Sequence, residues 1–281
     1  MDKKITSANY VKTLILISLV LSQLCSKAQS IPLLNGFAHN DYRHKHPLFD
    51  ALANGYTNIE ADIYLRGDSN LVVAHVLPYF KRHRTLEKLY FKPLFDRVTQ
   101  NGGKVYADYD KPITLMIDVK SGAGDTYKVL QPLLEKYKSM LTSYEDGKIV
   151  YRAVTVVISG HKPYGQIETE ANRYAFIDED LRKVARDSSY ANVFSMASCK
   201  YSSLIKWDGR GDMPASQKEK LCAFVTLAHE RGTRVRLWAS PERKTVWDTL
   251  LKCGVDLINT DKLVTLKNYL HTEKVILAQA N

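Results

Sequence analysis

What is scarce in this chain of 281 residues narrows its reading before any motif does. There are four cysteines, and Cys25 lies inside an N-terminal apolar stretch. Cys199, Cys222 and Cys253 remain, an odd number that argues against a disulfide framework while leaving room for one bridge. Their spacing matches no zinc motif, and the expected role is that of small buried hydrophobes. No Gly-rich phosphate loop of the Walker or Rossmann kind is visible. Nor is there the basic and aromatic interleaving of a nucleic-acid binder, so no nucleic-acid partner is expected. Low-complexity tracts, long Gly/Ser/Pro linkers and sequence repeats are also missing, which makes one domain the economical reading. The apolar run from Leu14 to Leu24 is about half of the roughly 18–20 residues a bilayer span needs.

That run has another use. Lys3, Lys4 and Lys12 precede or open it, and Ser26-Lys27-Ala28 follows with small residues where a signal peptidase reads. Residues 1–28 are therefore expected to be a signal peptide cut before Gln29, making the protein exported, periplasmic or extracellular. An uncleaved, membrane-tethered form is the alternative. Lipid attachment at Cys25 is discounted, because Gln23-Leu24 lacks the small residue it requires. The net charge is +10, of which the leader's four lysines and one aspartate account for three. A basic exported protein suits anionic surfaces or phosphate-bearing substrates, though charge alone selects no partner.

Residues 29–281 then alternate short β-rich runs with longer segments of helical period, the pattern of parallel α/β architecture. Strands are expected at Leu33–Ala38, Asn58–Ile63, Ile113–Val119, Ala153–Ile158, Arg173–Phe176, Asn192–Ser195, Arg234–Trp238 and Val255–Asn259, with a short extra one at Leu71–Ala74. Helices are expected at Pro47–Asn54, Leu86–Gln100, Asp125–Leu141, Glu179–Asp187, Pro214–Arg231, Glu242–Lys252 and Lys262–Leu270. Gly55, Gly102, Gly232 and Gly254 stand where helices should stop. Eight main strands in a domain of roughly 250 residues favour a single closed (β/α)8 TIM-type barrel.

In such a barrel the chemistry sits at the C-terminal ends of the strands. His39 ends the first expected strand. Glu60 and Asp62 end the second on one face, His75 follows the short extra strand, and Asp118 and Lys120 end the third. Three carboxylates crowded together call for a cation, and all-oxygen ligation is the preference of a hard divalent ion, Mg²⁺ or Ca²⁺. Pairing of the acids with Lys120 and nearby arginines is the competing account. Two histidines flanking such a site suit phosphodiester cleavage, one taking a proton from the attacking oxygen and the other protonating the leaving alkoxide. Lys120 and the metal would stabilise phosphoryl charge. Asn40 either touches the phosphoryl group or metal shell, or shapes the turn. Asp41 and Tyr42 are read as loop scaffolding. His161 sits on the same rim as a candidate substrate contact. Asp261 is expected to cap the last helix, and Lys81-Arg82-His83-Arg84 to form a solvated basic loop.

His39-Asn40, Glu60-Ala61-Asp62 and His75 resemble the opening of glycerophosphodiester phosphodiesterases. Ala38-His39-Asn40-Asp41-Tyr42, Pro47-Leu48 and Thr85-Leu86-Glu87-Lys88-Leu89-Tyr90 are more similar to the subgroup related to the yeast altered-inheritance-of-mitochondria protein. Asp118-Val119-Lys120 resembles the Asp-Leu-Lys of sphingomyelinase D enzymes, and Trp238 with Gly254 to Asp261 follows the closing pattern of all three groups. The resemblance implies a phospholipase-C-like phosphodiesterase barrel with histidines 39 and 75 as acid and base, and Glu60, Asp62 and Asp118 on one divalent metal. It also implies Trp238 as an apolar wall for the leaving group. The expected substrate is a glycerophosphodiester or phospholipid headgroup, with peripheral contact to membrane lipid and a monomeric state. Asn40 replaces the usual arginine, and Val76 replaces the usual aspartate after the second histidine. These departures leave the diester open and keep a non-catalytic phosphate- or headgroup-binding protein as the alternative.

Overall fold

Short β-rich runs separated by helices return each strand parallel to the one before. The computed structural model describes residues 31–67, 69–76, 83–184 and 192–279, so the expected leader over 1–28 lies outside the described residues, as do Lys81 and Arg82. The strands are β1 (Leu33–Ala38), β2 (Tyr56–Arg66), β3 (Asn70–Val73), β4 (Ile113–Val119), β5 (Ser143–Glu145), β6 (Lys148–Val150), β7 (Val154–Gly160), β8 (Ala175–Asp180), β9 (Phe194–Lys200), β10 (Arg234–Trp238) and β11 (Leu257–Thr260). Eight of them run in parallel in the order β1-β11-β10-β9-β8-β7-β4-β2. Pairing of β1 with β2 closes the ring, and β3 lies antiparallel on β2. This is the (β/α)8 barrel expected from the strand count. Among the described residues no helix is long and apolar enough to cross a membrane.

The helices pack outside through apolar stripes. Ala215–Glu230 buries Leu221, Val225 and Ala228, which recur at helical spacing, and Lys244–Lys252 buries Val246, Trp247 and Leu250. The latter helix ends at Gly254, whose φ of 87° is open to glycine. There the Gly254 N–H donates to the Leu251 carbonyl and the Val255 N–H to that of Leu250, the paired bonds of a Schellman stop. Inside the ring a second, small apolar cluster joins Phe37, Met116, Val157, Met196 and Leu257 from five strands. By the two-residue alternation of strands, Asp118 lies one step above Met116 and Thr114 one step below, while Glu60 lies one step above Asn58 on β2 and Arg236 one step above Arg234 on β10.

Three sequence expectations need correction. Over its described part, residues 179–184, the helix expected at Glu179–Asp187 is replaced: Glu179 and Asp180 finish β8, and a 3₁₀ turn at Leu181–Lys183 follows. Helix-favouring acids are overridden there because the Glu179 carboxylate accepts from the Tyr164 hydroxyl at 2.9 Å. The expected helix Asp125–Leu141 ends early, at Lys136. A hairpin of β5 and β6 follows, turning on Asp146-Gly147 with φ of 49° and 79°, the Asp-Gly signature of a two-residue turn. The cysteines also divide. Cys222 and Cys253 form a disulfide between helices, and Cys199 is free and buried. An odd count could not expose this pair, because the helix-to-helix docking that juxtaposes them is a tertiary event.

The Cys222–Cys253 bridge closes a loop with a sequence separation of 31. Loop-closure entropy for such a ring is worth about 4 kcal/mol. Cys253→Ala should lower the urea-unfolding free energy by roughly that amount. Burial pushes the Cys199 thiol up to about 12, so mass mapping after alkylation should leave Cys199 unlabelled in the native protein and labelled in denaturant.

Candidate active site

The upper mouth of the barrel holds a cleft of about 630 Å³ lined by His39, Glu60, Asp62, His75, Asp118 and Lys120, with Asn40 and Trp238 on its wall. Strand register brings these residues together. Asp62 stands directly opposite Asp118, and β1 pairs beside β2 so that His39 follows Ala38 across from Ile59. The His39 N–H continues the ladder by donating to the Thr260 carbonyl. Trp238, 38% exposed, ends β10 at the rim with the Lys200 ammonium over its ring. His161 is on the rim but does not line the cleft. Its Nδ1 lies 2.7 Å from the Ser121 carbonyl oxygen, and its neighbours Gly160 and Lys162 face the cleft instead.

Glu60, Asp62 and Asp118 bring one oxygen each within 4.8 Å of one another. Burial pushes the Glu60 carboxyl above the usual carboxylate range against the pull of Arg236, and the negative charges of Asp62 and Asp118 push it the same way. For two of these acids the protein occupies one oxygen and leaves the other without a partner. Asp62 Oδ2 accepts from the Tyr42 hydroxyl at 2.8 Å and faces His75 Nδ1 at 3.0 Å, while Asp118 Oδ2 accepts from the Lys120 ammonium at 2.6 Å. Asp62 Oδ1 and Asp118 Oδ1 are shut from solvent with no hydrogen bond. Gly160 keeps that space open: at its φ of 69°, an added Cβ would fall 2.1 Å from Asp118 Oδ1. Orphaned carboxylate oxygens around a shared point fit a hard divalent cation, so these three residues could hold one.

The competing account, pairing with cations, also operates. Arg236, 4% exposed, donates to Glu60 Oε2 at 2.8 Å and to Asn259 Oδ1 at 3.1 Å, approaches Asp178 at 4.0 Å and lies over the Phe37 ring. Burial alone would lower the Lys120 ammonium, but Asp118 and Asp62 more than offset it and raise it. It therefore stays charged.

Each histidine is held by its Nδ1, which leaves Nε2 as the second ring nitrogen of the pair. Asp261 Oδ1 lies 2.6 Å from His39 Nδ1, and His75 Nδ1 sits between Asp62 Oδ2 and the Tyr42 hydroxyl, 3.0 Å from each. Asp261 does not cap the final helix as expected. The Thr260 hydroxyl accepts the Lys262 N–H instead, and the Asp261 carboxylate turns to His39 and to the Asn40 amide. Asn40 adopts left-handed φ of 49° and its Oδ1 accepts from Tyr42, so it shapes the turn and braces the site at once. Asp41 is scaffolding, with its buried carboxylate accepting from the Leu48 N–H and the Tyr90 hydroxyl. Arg84 is structural as well, donating to the Tyr42 carbonyl. Asp178 and Arg236 are the site residues that sequence reasoning passed over, and Tyr42 and Asp261 are those to which it gave only structural roles. A signal existed for Arg236, two residues from Trp238 on the same strand face.

A family model described as the AIM6-like phosphodiesterase domain matches residues 26–178, more than half of the chain. The chain belongs to this family. The matched span carries His39, Glu60, Asp62, His75 and Asp118. The closing strands, residues 234–263, match the glycerophosphoryl diester phosphodiesterase family. Altered inheritance of mitochondria protein 6 of Eremothecium gossypii is 28% identical over 282 residues, covering 88% of this chain and 72% of that protein. A homolog of it from Arthroderma benhamiae is 29% identical over 261 residues, covering 83% and 82%. The crystal structure of a glycerophosphodiester phosphodiesterase from Parabacteroides distasonis shares the fold, with a TM-score of 0.53 at 12% identity over 85% of this chain and 98% of that one.

Burial alone would lower the His39 imidazole, but the hydrogen bond to Asp261 and the charges of Glu60 and Asp261 override it and raise the value, while His39 in turn depresses Asp261. Asp261→Asn should therefore move the His39 titration to lower pH, followed by the imidazole proton resonances in NMR. The sign for stability follows by linkage. A raised histidine stabilises the fold below its unfolded value of about 6.5 and loses that contribution as pH rises through the folded value. A depressed aspartate contributes above about 3.9. The unfolding midpoints of wild type and D261N should thus differ most near pH 5, and the difference should shrink as pH rises through the His39 value while the Asp261 contribution remains.

Proposed function

We propose that this protein is an exported, metal-dependent phosphoric diester hydrolase acting on a glycerophosphodiester or phospholipid headgroup. The observation that carries the reading is the convergence, in one cleft, of two Nδ1-anchored histidines and three carboxylates, two of which, Asp62 and Asp118, each keep an orphaned oxygen. Membership of a phosphodiesterase domain family supports the same reaction class.

Glu60, Asp62 and Asp118 would hold a divalent cation, Mg²⁺ or Ca²⁺, which when bound supplies Lewis-acid stabilisation of phosphoryl charge. The chain's own groups do the rest. Lys120 sits beside Asp118 and Asp62 to meet a phosphoryl oxygen. One imidazole removes the proton from the attacking oxygen and the other delivers one to the leaving alkoxide. Asp261 and the Asp62–Tyr42 pair hold the rings so that the opposite nitrogen addresses substrate. Lys162, Arg182 and Lys200 add positive charge to the cleft wall, and Trp238 supplies an apolar face for the glycerol or lipid portion. Export is supported by the Cys222–Cys253 bridge, a feature of oxidising compartments.

Purified protein assayed on a panel of phosphodiesters should show cleavage that EDTA abolishes and Mg²⁺ or Ca²⁺ restores. His39→Ala and His75→Ala should each lower kcat by about 10²–10⁴-fold, with folding intact by circular dichroism. ³¹P NMR of the products would tell hydrolysis from cyclisation, because only an internal attack accumulates a cyclic ester. No EDTA-sensitive turnover on any diester, with headgroup binding retained in His39→Ala, would replace the enzyme with a binding protein. Asp118→Asn should weaken divalent-metal binding in calorimetry whether or not turnover is found.

A further inference from the structure

The apolar layer of Phe37, Met116, Val157, Met196 and Leu257 divides the barrel interior into two compartments. Above it lies the cleft already described. Below it, at the N-terminal mouth, the described residues enclose a separate cavity of about 440 Å³. Ligand pockets commonly occupy roughly 300–1,000 Å³. The bottom of such a barrel is ordinarily filled by side chains, with no chemistry assigned to it.

Among the described residues, the lower cavity has a charged centre with no carboxylate in its lining. Arg234, two residues before Arg236 on the same strand face, donates to Asn58 Oδ1 at 3.1 Å and to the Leu34 carbonyl at 3.4 Å. Both acceptors are neutral. No Asp or Glu is among the residues lining the cavity, and Lys111 adds a second cation to its wall. Asp256 is near enough to act on Arg234 through space, but its carboxylate is committed to the Val235 N–H at 2.7 Å and to His229 at 2.9 Å. Burial lowers the Arg234 pKa from its ordinary value, against the opposing pull of Asp256 and Tyr109. A guanidinium in that position is best completed by an anion, which it can meet with two parallel N–H donors.

The walls add an apolar surface. Tyr109, Phe176, Phe194 and Met196 line the cavity, and Tyr151 stands at it with 70% of its surface exposed. An aromatic ring left that open beside a polar centre is a common sign of a binding surface. We propose that the lower mouth of the barrel is a second ligand site, taking a small organic anion whose charged end meets Arg234 and whose apolar body lies against Tyr109, Tyr151 and Phe176. The septum keeps it apart from the upper cleft, so the site stands or falls independently of the phosphodiesterase reading.

The probe is anilinonaphthalene sulfonate, titrated by fluorescence into the full chain, then displaced by benzoate, phenyl phosphate or inorganic phosphate. One saturable site per chain is expected, displaced by the two aromatic anions and far more weakly by inorganic phosphate. The relative potency of benzoate and phenyl phosphate tells a carboxylate from a phosphate ligand. Arg234→Gln should weaken the probe at least tenfold and Tyr151→Ala several-fold, while Lys162→Ala in the upper cleft should leave it unchanged. Unchanged affinity in Arg234→Gln, or loss in Lys162→Ala instead, would overturn the site, as would the absence of any saturable binding. Should Arg234→Gln fail to fold, exposed Tyr151 can be removed without touching the core, and unchanged affinity there would be equally fatal.

Discussion

Carboxylates gathered inside a closed barrel must be matched by positive charge, and much of the upper half of this molecule answers that demand. Glu60, Asp62 and Asp178 are almost fully buried, and Asp118 joins them across the strand register. Among the described residues, Arg236 and Lys120 are the permanent cations within ion-pair reach of this group, beside the titratable His75. Four acids against two fixed cations leave a deficit, and it shows in the orphaned oxygens of Asp62, Asp118 and Asp178. Those oxygens are shut from bulk solvent, and an uncompensated buried charge is expensive. The proposed divalent ion would close the gap, and the glycine at position 160 preserves the volume it would need.

The same charge crowding organises the histidines. Tyr42 spends its hydroxyl on Asp62, Asn40 and His75, tying a carboxylate of the cluster to an imidazole. His39 takes its anchor from Asp261 at the end of the opposite strand segment, outside the carboxylate cluster. The two rings are thus oriented by different acids. That arrangement suits a reaction needing one proton removed and another supplied, because each imidazole answers to its own partner. Below the apolar layer the logic reverses: Arg234 is a cation in a cavity with no acid among its described lining residues.

Much of the site was legible because strand periodicity maps directly onto barrel layers. Glu60 and Asp62, or Asp118 and Lys120, announce a shared direction by their spacing, and His39 and His75 fall just past apolar runs. β1, β4 and β10 begin and end where the apolar runs do. Other features were hidden for identifiable reasons. Asp261 carries a residue type that caps helices locally, and only the closure of β1 against β11 sets His39 within 2.6 Å of it. Glu179 and Asp180 look helical until Tyr164 and the sheet claim them. The hairpin at Asp146-Gly147 did carry a local signal, the Asp-Gly turn, which the stronger helical period upstream masked.

By itself the sequence determined the alternation of strand and helix, the strand ends where reactive groups stand, and the family to which those groups point, since all three depend on residues near one another in the chain. Tertiary structure alone decided which acid serves which base, that Arg236 neutralises Glu60 across 176 positions, that Cys222 meets Cys253, and that an apolar layer separates two cavities. Those outcomes rest on ring closure and register, which bring together side chains that no spacing along the chain relates.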